Sequence, residues 1–138
     1  MRAVVKQIHG ISFAGKADSG HWVTMDGPEE FGGSAAANRP MELILMGLGG
    51  CTSMDVISIL RKKRVEVGDF ECILEAERAP HHPKVFTKIK MKYVFYGRNI
   101  QAKDVERAIQ LSEQSYCSVS AMLKNSVDIE SAYEIIER

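Results

Sequence analysis

Residues 43–56 read LILMGLGGCTSMDV. The apolar run broken by Gly47, Gly49 and Gly50 matches part of the pattern of a dinucleotide-binding loop, whereas Cys51 at its end has the chemistry of a redox nucleophile. The first reading needs glycine at the first, third and sixth positions between a buried strand and a helix, with an acid on the next strand. Gly47 and Gly49 fit, Thr52 occupies the sixth place, and Asp69 lies at a suitable distance. The preceding residues PMELILM, however, are helix formers rather than β-branched. The later strands are also amphipathic, unlike those of a doubly wound sheet, which are apolar on both faces. The stretch is therefore helical, and no nucleotide cofactor is expected.

Working outward, Pro40 suits the first helical position, Glu42 the positive N-terminal end, and the basic run 61–64 the negative C-terminal end. Apolar residues cover most of the circumference, which predicts a helix buried in a core. Glycines weaken a helix, so Gly47, Gly49 and Gly50 predict close approach of another backbone or a ligand. Residues 41–60 are long enough to span a bilayer, but Glu42, Asp55 and the glycines favour a buried helix over a membrane span.

Upstream, residues 2–9 and 11–16 are strand-like on either side of Gly10, and HWVTMD at 21–26 follows a turn signal, giving a small meander. GPEEFGGSAAAN at 27–38 is too rich in small residues to form an element and predicts a mobile loop. Downstream, Phe70, Cys72, Leu74 and Ala76 alternate with Glu71, Glu75 and Glu77. Ile89, Met91, Tyr93 and Phe95 alternate with Lys88, Lys90 and Lys92. Two strands with one wet face, joined through PHHP, predict an antiparallel hairpin. Residues 104–115 and 116–125 read as helical pieces and 126–137 as a last strand. The order predicts one α+β domain over residues 1–138.

The chain has 138 residues, 45% hydrophobic and 26% charged, enough for one core. Eighteen Lys and Arg balance eighteen Asp and Glu. Without a net basic field, neither nucleic acid nor a membrane surface is an expected partner. No apolar segment with a small-residue cleavage site follows Met1, so a cytoplasmic, reducing location is expected. Cys51, Cys72 and Cys117 are odd in number and widely spaced, against both a disulfide framework and a closed zinc site. Cys51 has small neighbours, and Cys117 falls between helical pieces, where free N–H groups lower a thiol pKa. Cys72 points inward. Burial of all three as inert core cysteines stays an open alternative.

PMELILMGLGGCTSMDVISIL and SEQSYCSVSAML, followed by a strand containing SAYEII, resemble the two cysteine motifs of the OsmC/Ohr family, the osmotically inducible and organic-hydroperoxide-resistance proteins, and among them its YhfA-like branch. The resemblance implies an OsmC-like fold with N-terminal antiparallel strands, a long buried cysteine-bearing helix, a central hairpin, a second cysteine-bearing helix and a C-terminal strand, assembled as an intertwined homodimer. It implies that Cys51 attacks an organic hydroperoxide and becomes a sulfenic acid, that Cys117 resolves it to a disulfide, and that a lipoyl-type dithiol reduces the disulfide. No cofactor or metal is implied. An arginine of the N-terminal strands and a glutamate ahead of the helix assist in the peroxidase branches. Here Met41 takes the glutamate's place, with Glu42 one residue on, and no arginine lies between Arg2 and Arg39, although Lys16 or Arg39 itself could reach the site. Ser118 replaces a frequent proline. Asp55, one turn beyond Cys51, is a further candidate, either as a proton carrier or as a charge that opposes thiolate formation. These departures keep alive an alternative in which the same dimer binds a small ligand without turnover.

Overall fold

The computed structural model describes residues 1–138. The chain forms two compact units, Met1–Ile44 and Leu45–Arg138.

In the first unit β1 (Ala3–His9), β2 (Ser12–Ala17) and β3 (Trp22–Met25) form an antiparallel meander in sequential order. Gly10 and Gly20 take positive φ of 55° and 85° at the turns, a conformation without steric cost for glycine. Residues 27–36 are held by one carboxylate. Asp26, 3% exposed, accepts the Gly27 N–H at 2.8 Å and the Ser34 and Ala36 N–H groups at 3.2 Å. Burial pushes Asp26 upward, but these bonds together with one from Ser12 outweigh it and leave the carboxyl below its ordinary value. A Cβ on Gly33 would overlap the Gly27 carbonyl, so the small residues of this stretch serve a close-packed loop. Asp26 is the anchor the sequence did not disclose.

Helix α1 (Pro40–Lys62) begins in this unit. Glu42 Oε1 accepts the Arg39 N–H at 2.9 Å, satisfying a free donor at the helix start. α1 is apolar enough to span a membrane by composition, yet within the larger unit Leu48, Thr52, Val56 and Leu60 are fully buried. These residues repeat every fourth position and form one stripe. Burying each aliphatic side chain of this kind contributes roughly 1.5–3 kcal/mol. The all-round burial expected from composition is not met within one chain: Ile44, Met46 and Met54 stay exposed. Of the three glycines, only Gly49 is closely approached; a Cβ there would lie 2.6 Å from Leu74 Cδ1, while Gly47 and Gly50 face open space.

The larger unit continues with β4 (Asp69–Arg78), β5 (Phe86–Gly97), α2 (Ala102–Leu111), a π-helical turn (Ser112–Tyr116), α3 (Ser118–Leu123) and β6 (Asp128–Glu137). β4 and β5 form the expected antiparallel hairpin, with Phe70, Cys72, Leu74 and Ala76 opposite Phe95, Tyr93, Met91 and Ile89. Those eight residues line the inner face, where the Phe70 and Phe95 rings lie 5.0 Å apart. β6 pairs with β5 in parallel, because α2 and α3 carry the chain back to the start of the sheet before it re-enters. On the wet face Lys88 and Lys92 pair with Glu130 and Glu134 at 3.0 and 2.6 Å.

Candidate functional site

Cys51 lies half-buried in α1, and Asp55 follows at i+4 on the same helix face. The second thiol arrives by a different construction. After α2 the helix widens into the π turn, whose first residue, Ser112, is fully buried and accepts the Cys117 N–H at 2.8 Å. Cys117 is therefore not inside a helix. It is an extended residue (φ −73°, ψ 105°) capping α3, and its Sγ accepts the Ser120 N–H at 3.3 Å.

The turn is tied on both sides. Ser112 Oγ donates to Asp55 Oδ2 at 3.0 Å, and the Tyr93 hydroxyl of β5 donates to Glu113 at 3.4 Å. Burial pushes the Tyr93 phenol well above its ordinary range, against an opposing bond from Thr52. The result is a convergence of three reactive atoms: Cys51 Sγ, Cys117 Sγ and an Asp55 carboxylate oxygen all lie within 4.8 Å of one another.

Electrostatically the two thiols differ. Burial raises Cys117, the Ser120 N–H pulls it back, and the bond to and charge of Cys51 raise it again, to about 11. The helix-start donor expected beside Cys117 is present, but it does not overcome desolvation. Cys117 therefore holds its proton and presents an S–H to its neighbour. Asp55 takes part in no ion pair. Cys72 stands apart from the cluster on β4, half-buried opposite Tyr93 and raised by burial despite a bond from Ser53.

The other candidate residues belong to the N-terminal unit and have local partners there. Lys16 lies 4.9 Å from the centroid of the Trp22 ring, Arg39 Nη1 donates to the Ala37 carbonyl at 3.3 Å, and Glu42 caps α1. Ser112 was not legible as a site residue, since it lies 57 positions from its partner Asp55 and no local pattern marks it. A hollow of about 1030 Å³, lined by residues including Arg61, Arg64, Phe70 and Arg98, contains none of the cysteines.

The sequence pattern of the OsmC-like proteins matches residues 32–132, a span that holds both site cysteines. The chain belongs to the OsmC-like family. Protein YhfA of Escherichia coli strain K12 is 41% identical over 136 residues, covering 99% of this chain and 98% of its own. A hypothetical protein of Aquifex aeolicus VF5 shares 34% identity with a TM-score of 0.88, covering 99% of this chain and 96% of its own. An organic hydroperoxide resistance protein OsmC from Legionella pneumophila has the same fold, at 15% identity and a TM-score of 0.72, with 97% of each chain covered. OsmC-like membership directs attention to redox and peroxide chemistry.

Proposed function

We propose that this OsmC-like protein is a cytoplasmic, homodimeric thiol peroxidase for organic hydroperoxides. The observation that supports it is the approach of the Cys51 and Cys117 sulfurs to within 4.8 Å. In the proposed cycle the Cys51 thiolate attacks the outer peroxide oxygen. The O–O bond breaks, the alcohol leaves with a proton, and Cys51 becomes a sulfenic acid. Cys117 then attacks the sulfenic sulfur and loses its proton as water leaves, giving the Cys51–Cys117 disulfide. A lipoyl-type dithiol reduces this by exchange and is itself oxidised. The protonated state of Cys117 suits a resolving thiol, which attacks second and first serves as a hydrogen-bond donor to Cys51.

Lys16, Arg39 and Glu42 enter the proposal as the charges that assist peroxide cleavage. K16A, R39A and E42Q are each expected to slow sulfenic acid formation while leaving the slower disulfide product unchanged in identity. The exposed Ile44, Met46 and Met54 of α1 favour a second copy of the chain as partner, since monomers seldom leave such a helix uncovered. Light scattering should give twice the chain mass.

The deciding experiment is to add one equivalent of an organic hydroperoxide to the reduced protein and map its cysteines by non-reducing peptide mass spectrometry. A Cys51–Cys117 disulfide with Cys72 free is the expected result. C51S should fold and consume no peroxide, and retained consumption would overturn the mechanism. A second reading, a non-catalytic dimer that binds a small ligand, draws on Met41 standing at the place of the family's glutamate and on the lack of any arginine between Arg2 and Arg39. It predicts ligand-induced thermal stabilisation that persists in the C51S/C117S double variant.

A further inference from the structure

The wide spacing of the cysteines speaks against a closed four-ligand zinc site, but the fold creates something different. Cys51 and Asp55 share one face of α1, and the π turn delivers Cys117 to the same point, so that two sulfurs and a carboxylate oxygen lie within 4.8 Å of one another. In a tetrahedral zinc site with Zn–S bonds of about 2.3 Å, neighbouring sulfurs stand about 3.8 Å apart. The 4.8 Å limit on the present separations exceeds that spacing by only about 1 Å.

We propose that the reduced protein binds Zn²⁺ through Cys51, Cys117 and Asp55, with the fourth position left to water or an exogenous ligand. Three observations on this chain favour a thiophilic divalent cation there. The donor set, two thiols and one carboxylate, suits Zn²⁺ and disfavours Mg²⁺ and Ca²⁺, which take oxygen ligands. Asp55 has no cationic partner in any ion pair. Its orientation is fixed by the buried Ser112 hydroxyl at 3.0 Å, the kind of outer bond that aims a metal-bound carboxylate. Each thiol that binds gives its proton to solvent, and no electron is transferred. One coordination position stays open, as in zinc sites that exchange ligands.

The binding proposal stands on this geometry alone. Its consequence, that the metal shields Cys51 from peroxide, rests on the peroxidase reading. A Zn²⁺-bound sulfur has its lone pair engaged and is a poorer nucleophile toward O–O bonds. Metal-loaded protein is therefore expected to form the disulfide more than about tenfold more slowly than metal-free protein, and a chelator should restore the rate.

The test uses the full-length reduced protein, titrated anaerobically with Co²⁺ as a spectroscopic stand-in and then with Zn²⁺ against a chromophoric chelator. The expected result is one equivalent per chain, a thiolate-to-cobalt charge-transfer band, and its displacement by Zn²⁺. C51S and C117S should each abolish the band, D55N should weaken Zn²⁺ binding by about tenfold or more, and C72S should change nothing. Alkylation of Cys51 in the folded wild-type protein gives the same readout without a substitution, should a variant misfold. Absence of the band, or its survival in the C51S/C117S double variant, would overturn the proposal. Hydroperoxide added to metal-free protein separates the two ideas. A disulfide without cobalt binding removes the metal site alone, and cobalt binding without a disulfide removes the peroxidase reading alone.

Discussion

Oxidising Cys51 and Cys117 to a disulfide would cross-link residues 66 positions apart in sequence whose sulfurs already lie within 4.8 Å. Constraining a loop of about 66 residues removes unfolded-state entropy worth about 4 kcal/mol in the chain-entropy model. The two sulfurs already lie within 4.8 Å in the reduced fold, so little of this is expected to be returned as strain. The oxidised protein should therefore unfold in urea at a midpoint about 2 M higher, taking an m-value of about 2 kcal/mol/M for this size. By linkage, the folded disulfide should be harder to reduce than the same pair in the unfolded chain by about 90 mV. The assay is urea unfolding followed by far-ultraviolet circular dichroism, at one protein concentration, on reduced and singly oxidised protein, with the Cys51–Cys117 bond verified by mass spectrometry. A verified disulfide that leaves the midpoint unchanged or lowers it would show that bridging strains the native fold by as much as it constrains the unfolded chain. The site geometry described above would then be wrong.

Asp26 should make the N-terminal unit sensitive to acid. Its folded carboxyl lies below the ordinary value, so its contribution is complete above about pH 4, the unfolded value, and is lost as pH falls through the folded one; D26N should flatten that acid limb in thermal melts. G33A, with no room beside the Gly27 carbonyl, should open residues 27–36 to limited proteolysis, whereas G47A, facing open space, should leave stability unchanged or raise it by up to about 1 kcal/mol. Y93F, which deletes the Tyr93 bond to Glu113, should cost about 1 kcal/mol in urea unfolding and speed hydrogen exchange in the π turn.

Local patterns made much of this fold legible. The alternation in β4 and β5 identified the hairpin and its inner face because period-two burial is written directly into neighbouring residues. The start of α1 was marked by Pro40 and Glu42. What escaped depends on chain path. Nothing in residues 126–137 says that β6 returns parallel to β5, since direction follows from how α2 and α3 cross the sheet. The uniform hydrophobicity of α1 suggested burial on all sides, but one chain supplies packing for a single stripe. At the site, the i, i+4 relation of Cys51 to Asp55 was visible, while their meeting with Cys117 and Ser112 requires the extra width of the π turn. The desolvation that keeps Cys117 protonated likewise depends on burial that no spacing reveals.

The parallel pairing of β6 also bears on how the chain is made. From Lys88 to Gly97, each residue of β5 pairs with the one 40 positions later, so a nascent chain on the ribosome carries the hairpin with one side of β5 uncapped until β6 emerges. Long-range pairings of this kind form late, and an open strand edge in the interval invites other chains to add to it. Lys88, Lys90 and Lys92 act as gatekeepers in that window, their like charges repelling a second nascent copy. Once β6 arrives, its Glu130 and Glu134 neutralise two of the three, so the same lysines that delay association between chains then hold the correct strand in register.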